Sequence, residues 1–130
     1  MFEFLNKITG RVPYFETLLN SNNEFYFTLN AGNGEVILMS EFYKNKQGCL
    51  NGIESVKENA LMEENFDIRL SKDKKRYFVL KAKNGEIIGN SETYNSLKGM
   101  LTGLESVMRS SQNAIIKAPL WGFFVYLHYE

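Results

Sequence analysis

The chain has very few of the residues on which catalytic and metal sites depend. Its 130 residues include one cysteine, Cys49, and one histidine, His128. A single cysteine excludes an intrachain disulfide, and with one distant histidine it gives no zinc-ligand spacing. A histidine found only in the C-terminal tail excludes a histidine-based triad elsewhere in the chain. The sequence therefore predicts no catalytic residue, no metal site and no cofactor.

Charge of one sign and long apolar runs are also absent. Fifteen basic residues balance fifteen acidic ones, so no overall field attracts nucleic acid or an anionic membrane. The apolar run at residues 119–127 is shorter than the roughly 17–25 residues that span a bilayer. The first residues include Glu3 and no sustained apolar core, which is not typical of a signal peptide. We expect a cytoplasmic protein without a membrane span, and the lone cysteine fits a reducing compartment.

What the chain does contain is an internal duplication. Residues 26–37 return as residues 77–88, and the offset of 51 holds without a gap from Phe15 to Val56 of the first copy. A period of this length indicates two copies of one supersecondary unit, each needing the other for a core. The predicted organisation is a lead segment, two repeats that form one folding unit, and an atypical aromatic tail. Their bounds are residues 1–13, 14–62, 63–113 and 114–130.

Within each repeat, alternation of apolar and polar residues predicts three strands. They are expected at residues 14–19, 24–31 and 35–41, and again at 66–70, 75–82 and 86–92. Asn33-Gly34 and Asn84-Gly85 separate the second strand from the third, and Asn-Gly is the strongest short-range hairpin signal. A two-residue type I′ turn needs positive φ at both positions. These four residues are therefore predicted to form structural turns and not ligand loops.

After each third strand the apolar spacing becomes helical. Asn45 and Ser96 are suitable N-cap residues in front of these segments. Each repeat is thus predicted as β-β-β-α, and the chain as an α+β domain with one antiparallel sheet, two helices and pseudo-twofold symmetry. Gly52 and Gly103 lie in the middle of the helices, where glycine costs roughly 0.5–1 kcal/mol relative to alanine. We expect a strand or the other helix to pack closely there, with approach to a ligand as the alternative.

The tail, residues 114–130, has no counterpart in the first copy. Residues 114–117 are predicted to form a short strand, and Pro119 follows them. Residues 121–129 are aromatic and β-branched with apolar side chains on both alternating faces, which favours a strand covered on two sides. Because the six repeat strands and two helices leave no obvious vacancy, we expect a homo-oligomer formed through this tail.

The repeated motifs resemble a known family. The first copy carries NGEVI at residues 33–37, SE-x-Y at 40–43 and GIESVK-x-N at 52–59, and the second carries NGEII at 84–88, SE-x-Y at 91–94 and GLESV at 103–107. These paired motifs resemble the YegP-like tandem-repeat bacterial proteins, the UPF0339 or DUF1508 domain. The resemblance covers roughly residues 14–111 and implies two intertwined repeats that share one sheet. It implies no assigned activity, and the lead and the aromatic tail depart from it.

Three classes of function stay open. The least supported is a carboxylate-based hydrolase in which Glu41 and Glu92, each following a serine, share a proton. A ligand- or nucleic-acid-binding module would use symmetric tyrosines, above all Tyr43 and Tyr94, beside lysines. The balanced charge argues against nucleic acid as the partner. We favour a non-catalytic structural or protein-interaction module that acts through a sheet edge or an oligomer contact, with the protein partner unidentified.

Overall fold

The computed structural model describes residues 12–117, and the expectations for residues 1–11 and 118–130 lie outside the described residues. Within that range each repeat forms three strands and one helix, which confirms the β-β-β-α plan. The elements are β1 (Tyr14–Leu19), β2 (Phe25–Asn30), β3 (Val36–Ser40), α1 (Lys46–Asn59), β4 (Phe66–Leu70), β5 (Arg76–Lys81), β6 (Ile87–Asn90), α2 (Leu97–Asn113) and β7 (Ile115–Ile116), with one 3-10 turn at Glu63–Asn65 before β4.

The seven strands of residues 12–117 join one sheet in the order β4-β5-β6-β3-β2-β1-β7. The two repeats meet in its middle, where β3 and β6 run antiparallel with Met39 opposite Asn90 and Ser40 opposite Gly89. Met39 and Asn90 occupy the same position in their repeats, so this pairing relates the copies by a pseudo-twofold axis. β7 adds a seventh strand that runs parallel to β1, whereas the other pairs are antiparallel.

Both helices begin at the predicted caps. The Asn45 side chain accepts a hydrogen bond from the backbone N–H of Gly48 at 2.7 Å, and the Ser96 hydroxyl accepts one from Gly99 at 3.0 Å. Each cap satisfies one of the N–H groups that the first helical turn leaves without a partner. The helices therefore start at the same position of each repeat and lie on the same face of the sheet.

The core lies between the two helices and one face of the sheet. Alternate strand positions supply its sheet side, and one stripe of each helix supplies the other side. The buried core residues are Phe15, Phe27, Leu29, Ile37, Leu38, Cys49, Leu50, Ile53, Val56, Ala60, Phe66, Phe78, Leu80, Ile88, Met100, Leu104, Val107 and Ile116. The intervening strand positions, such as Met39 and Tyr77, lie on the opposite side of the sheet, which we call the outer face.

The two Asn-Gly loops are hairpins, but the predicted two-residue type I′ geometry is wrong. Only the glycines have positive φ, 92° at Gly34 and 86° at Gly85. In the first loop Gly34 donates its N–H to the Ala31 carbonyl at 2.8 Å, and Ala31 donates to Glu35 at 2.9 Å. This pattern is a longer loop in which a turn is followed by a left-handed glycine. The asparagine instead accepts a bond from a backbone N–H two residues later, as Asn33 does from Glu35 at 2.9 Å.

Candidate functional site

The two edges of the sheet, β7 and β4, are built differently. β1, the first strand of repeat 1, is covered at its start by β7, which places Ile115 beside Tyr14 and Ile116 beside Phe15. β4 is the matching strand of repeat 2, and within residues 12–117 it pairs with β5 alone. On the repeat 1 edge the short strand β7 pairs with β1, whereas on the repeat 2 edge β4 has no further strand beside it over the described part of the chain. We call the β4 edge the open edge.

The backbone of β4 directs alternate N–H and C=O groups away from the sheet. Arg76 of β5 exchanges two backbone hydrogen bonds with Tyr94 on the β6 side. The next residue, Tyr77, therefore faces β4, where it pairs with Arg69. Successive residues of a strand direct their backbone N–H and C=O groups to opposite sides. Because Arg69 faces β5, its neighbours Ile68 and Leu70 direct their backbone groups away from the sheet. Over the described residues 12–117, no second strand pairs with these outward groups of β4.

Two apolar side chains of β4 are exposed to solvent. Ile68 is 49% exposed and Leu70 is 63% exposed, on the side of the sheet that carries the helices. At the position of Ile68, repeat 1 has Thr17, which is only 6% exposed. An edge strand with exposed apolar side chains and outward backbone groups is a template for pairing with another segment.

A groove lies beside this edge on the outer face. It has a volume of about 510 Å³ and runs from β4 across β5 to the ends of β3 and β6. Its lining combines two cationic side chains from the β4 side, two carboxylates from the far side and an apolar floor. The residues with these roles are Arg69, Lys72, Glu41, Glu92, Tyr77 and Val79.

The groove lies where repeat 2 has a smaller side chain than repeat 1, Thr93 in place of Phe42. In repeat 1 the Phe42 ring packs edge-on against Tyr26, with ring centroids 5.4 Å apart. Thr93 occupies the position of Phe42 in repeat 2, and Tyr77 the position of Tyr26. A threonine side chain covers much less of a tyrosine ring than a phenylalanine does. Thr93 and Tyr77 consequently both line the groove.

The charges next to the open edge form a small network. Lys81 Nζ lies 2.7 Å from the Asp67 carboxylate, and Arg69 lies 3.4 Å from the same group. The hydrogen bond and charge of Lys81, followed by those of Arg69, hold the pKa of Asp67 below its usual value. This network joins β4 to β5 on the outer face.

Tyr43 and Tyr94, proposed from the sequence as candidate ligand contacts, pack against the core. Tyr43 stacks on Phe27 with ring centroids 6.4 Å apart and planes 12° apart. Tyr94 stacks on Phe78 with the same separation and angle. Burial raises the pKa of the Tyr43 hydroxyl to about 12, with smaller contributions from nearby acidic groups. Both rings are partly buried against the core, and the ligand-contact prediction for their exposed parts stays a prediction.

The helix glycines and these tyrosines belong to one arrangement. A Cβ atom on Gly103 would lie 2.6 Å from Tyr94 Cζ, and one on Gly52 would lie 2.8 Å from Tyr43 Cζ. Gly52 also faces Phe27 of β2. We expected a strand or the other helix at these positions, and the main neighbour is the tyrosine that follows each third strand. Sequence reasoning selected all four residues without connecting them.

Glu41 and Glu92 both line the groove, but the sheet register does not place them side by side. Glu41 donates its backbone N–H to the Ile88 carbonyl at 3.1 Å, so it lies opposite a residue four positions before Glu92. At about 3.3 Å per residue along a strand, this separates the two backbones by roughly 13 Å. A shared proton needs contact between the carboxylates, so the hydrolase hypothesis gains no support from this register.

Cys49 is fully buried in the core at the start of α1. Burial raises the pKa of its thiol to about 12, and a thiol with a raised pKa is a poor nucleophile at neutral pH. Within residues 12–117 no cluster of three metal-ligating side chains is found. His128, the single histidine, lies outside the described residues.

The site residues that sequence reasoning missed are those of the open edge and the groove. Residues 66–70 were predicted as a strand, but Ile68 and Leu70 were not recognised as exposed edge residues. β7 follows α2, whereas the corresponding residues of repeat 1, 64–65, lie in the 3-10 turn before β4. This difference between the repeats was the available signal. The substitution of Thr93 for Phe42 was likewise visible on aligning the two copies.

Within residues 12–117 the fold is a duplicated α+β domain whose sheet has β7 at one edge and β4 at the other. The family model described as a domain of unknown function, DUF1508, matches residues 20–67 and 71–117. The chain belongs to this family, as the resemblance implied. No helix within residues 12–117 is long and apolar enough to cross a membrane.

Relatives with the same organisation are found in several bacteria. The UPF0339 protein of Shewanella oneidensis is 45% identical over 104 residues, which are 80% of this chain and 94% of that protein. UPF0339 protein YegP of Escherichia coli K12 is 40% identical over 104 residues, with the same two coverages. These names assign no catalytic activity.

The chain is also similar to two structures solved in solution by NMR. One is a UPF0339 protein of Shewanella oneidensis, with a TM-score of 0.78 and 43% identity, covering 85% of this chain and 95% of that one. The other is yegP of E. coli, described as a protein of unknown function, with a TM-score of 0.79 and 38% identity. That match covers 84% of this chain and 93% of the E. coli chain.

Proposed function

We propose that this protein is a non-catalytic interaction module that binds an extended polypeptide segment by adding it as a strand beside β4. The observation that supports this most directly is the difference between the two first strands. β1 has β7 as a neighbour, whereas β4 carries exposed Ile68 and Leu70 with no neighbour beyond β5 within residues 12–117. Strand addition uses the backbone for affinity and alternate side chains for specificity.

The chemistry on the two sides of β4 indicates which segment would bind. Side chains on the helix side would contact Ile68 and Leu70, so apolar residues fit there. Side chains on the outer face would approach Arg69 and the groove with Tyr77, where aromatic or acidic groups fit. The matching partner is an extended segment in which apolar residues alternate with aromatic or acidic ones.

The first test uses a short acetylated peptide of alternating valine and glutamate, titrated into the 15N-labelled protein. We expect chemical shift changes at residues 66–70, and slower amide exchange at Ile68 and Leu70 once the peptide is bound. The amide of Arg69, which faces β5, is the internal control because it is already in the sheet. Shift changes centred on β7 or on the helices would contradict strand addition at β4.

Two variants separate the backbone contribution from the side-chain contribution. Ile68→Pro removes the outward N–H, and proline is tolerated on edge strands. Ile68→Thr keeps the N–H and introduces the residue that repeat 1 has at the same position. We expect the proline variant to lose peptide binding and the threonine variant to weaken it. Equal binding by all three proteins would overturn the proposal, provided that their melting curves show them folded.

A second candidate function is the binding of a small ligand in the outer-face groove. The specific observation in its favour is Thr93, which leaves Tyr77 beside an opening of about 510 Å³ with Arg69 and Lys72 on one side. An aromatic molecule with an anionic group would suit this lining. Thr93→Phe, which copies repeat 1, should fill the groove. If it removes ligand binding and leaves peptide binding unchanged, the groove acts independently of the edge.

A further inference from the structure

We infer that the segment bound at β4 is the C-terminal tail, residues 121–129, of a second copy of this chain. This inference rests on the proposed function and adds the identity of the occupant. It follows from the position of β7 at the edge of the sheet, from the chemistry of Pro119 and from the sequence of the tail.

The sequence after β7 contains a residue, Pro119, that cannot extend the hydrogen-bond ladder with β1. Ile115 donates its N–H to Pro13 at 3.1 Å, and Lys117 donates to Phe15 at 3.0 Å. In a parallel pair the next N–H directed at β1 would belong to residue 119, two positions further on. Proline has no N–H to donate. Pro119 therefore cannot donate the next bond of this ladder, and the inference gives residues 121–129 a partner strand other than β1 of the same chain.

The tail of one copy is poorly placed to pair with β4 of the same copy. β7 and β4 lie at opposite ends of the sheet, six strand spacings apart, which is roughly 29 Å at about 4.8 Å per spacing. The five residues from Ile116 to Trp121 reach at most about 17 Å. A tail stretched towards its own β4 would therefore cross the strands instead of running beside β4. A second copy removes this constraint.

The two faces of the tail match the two sides of β4. Phe123, Val125 and Leu127 alternate with Phe124 and Tyr126. Beside β4, one set would lie against the apolar residues Ile68 and Leu70 on the helix side. The other set would lie against Arg69 and the groove, where a guanidinium next to aromatic rings is favourable. Both apolar faces of the tail would then be covered, and so would the exposed edge.

The decisive experiment combines a copy that can only donate a tail with a copy that can only accept one. The donor carries Ile68→Lys and Leu70→Lys, which place charge on the edge at exposed positions. The acceptor lacks residues 119–130 and keeps β4 unchanged. We expect the full-length protein to self-associate and each variant alone to sediment as a monomer. An equimolar mixture of the two should form a one-to-one complex, with affinity restored at least about tenfold over either variant alone.

Two controls make the result specific. Leu19→Lys changes the residue of repeat 1 that matches Leu70, and it should leave self-association of the full-length protein unchanged. A synthetic peptide of residues 119–130 should bind the acceptor with a change in Trp121 fluorescence, whereas a scrambled peptide should not. Complex formation by the donor with itself would overturn the inference, and so would a full-length protein that stays monomeric.

The outcome also separates this inference from the proposed function. If the mixture stays monomeric and the 119–130 peptide does not bind, while the valine–glutamate peptide still protects the Ile68 amide, then strand addition is correct and the tail is not the occupant. If neither peptide binds the acceptor, both proposals are wrong. Binding of the 119–130 peptide with shift changes at β4 supports both.

Discussion

The ring of Tyr94 lies against Gly103 of α2, so close that a Cβ atom at Gly103 would come within 2.6 Å of Tyr94 Cζ. The same contact recurs between Tyr43 and Gly52. Each tyrosine follows the third strand of its repeat and is held by a bridge to the second strand, as Tyr94 is to Arg76. The glycine allows the helix to approach the sheet with a tyrosine ring between them.

We therefore expect Gly103→Ala to destabilise the protein, although alanine is the better helix former. The added methyl group overlaps a ring that is stacked on Phe78, and overpacking costs about 1–3 kcal/mol against a propensity gain of about 1 kcal/mol. A net loss of up to about 2 kcal/mol should appear in urea unfolding. Thr102→Ala at an exposed neighbouring position is the control. Combining Gly103→Ala with Tyr94→Leu should recover part of the loss, and strict additivity would argue against the contact.

The second prediction concerns alkaline pH. Burial raises the pKa of the Tyr43 hydroxyl in the folded protein to about 12, above the value of about 10 for an exposed tyrosine. The stability that this hydroxyl contributes is complete below pH 10 and is lost as the pH rises towards 12, because the unfolded chain ionises first. Tyr43→Phe keeps the ring and removes that loss. Its unfolding free energy should fall less steeply above pH 10 than that of the parent.

Two further variants test the source of this alkaline effect. Tyr94→Phe should behave in the same direction, since burial also raises the pKa of Tyr94. Tyr26→Phe removes a hydroxyl from the outer face and serves as the control. A parallel fall in stability for the parent and for Tyr43→Phe, measured by urea unfolding across this pH range, would show that Tyr43 ionises as an exposed group.

The third prediction concerns the turns that join the first and second strands. Lys74 has φ of 63° and Asn23, its match in repeat 1, has φ of 62°. This left-handed conformation costs a side chain about 1–2 kcal/mol, while asparagine tolerates it better. Lys74→Gly should raise the unfolding free energy by about 0.5–1 kcal/mol after the entropy cost of glycine. Asn23→Gly should change it little, and an equal gain at both positions would contradict this explanation.

Local patterns in the sequence were sufficient to predict most of the fold. Alternation located the strands, and Asn45 and Ser96 located the helix starts, because these signals act within a few residues. The turn geometry was mispredicted because Asn-Gly suits more than one hairpin loop. In this protein a register shift between Leu29 and Asn30 accompanies the longer loop.

The candidate site could not be predicted from patterns within a few residues of the sequence. Exposure of Ile68 depends on the position of β4 at the side of the sheet and on β7 joining the opposite side. Both are consequences of pairing between distant segments, which alternation within a strand does not encode. The contact of Tyr94 with Gly103 has the same origin, since the bridge from Tyr94 to Arg76 brings the ring under the helix.

The last prediction is that the two repeats fold only together. β3 and β6 pair in the middle of the sheet, and the Gln112 side chain donates a hydrogen bond to the Lys57 carbonyl at 3.0 Å across the helices. We expect each repeat of about 50 residues to bury too little surface to be stable alone, because domains below roughly 60 residues are marginal. Residues 1–62 and 63–130 expressed separately should be unfolded or domain-swapped, and mixing them should restore native NMR dispersion. Well-dispersed spectra from two monomeric fragments would show that each repeat is an independent domain.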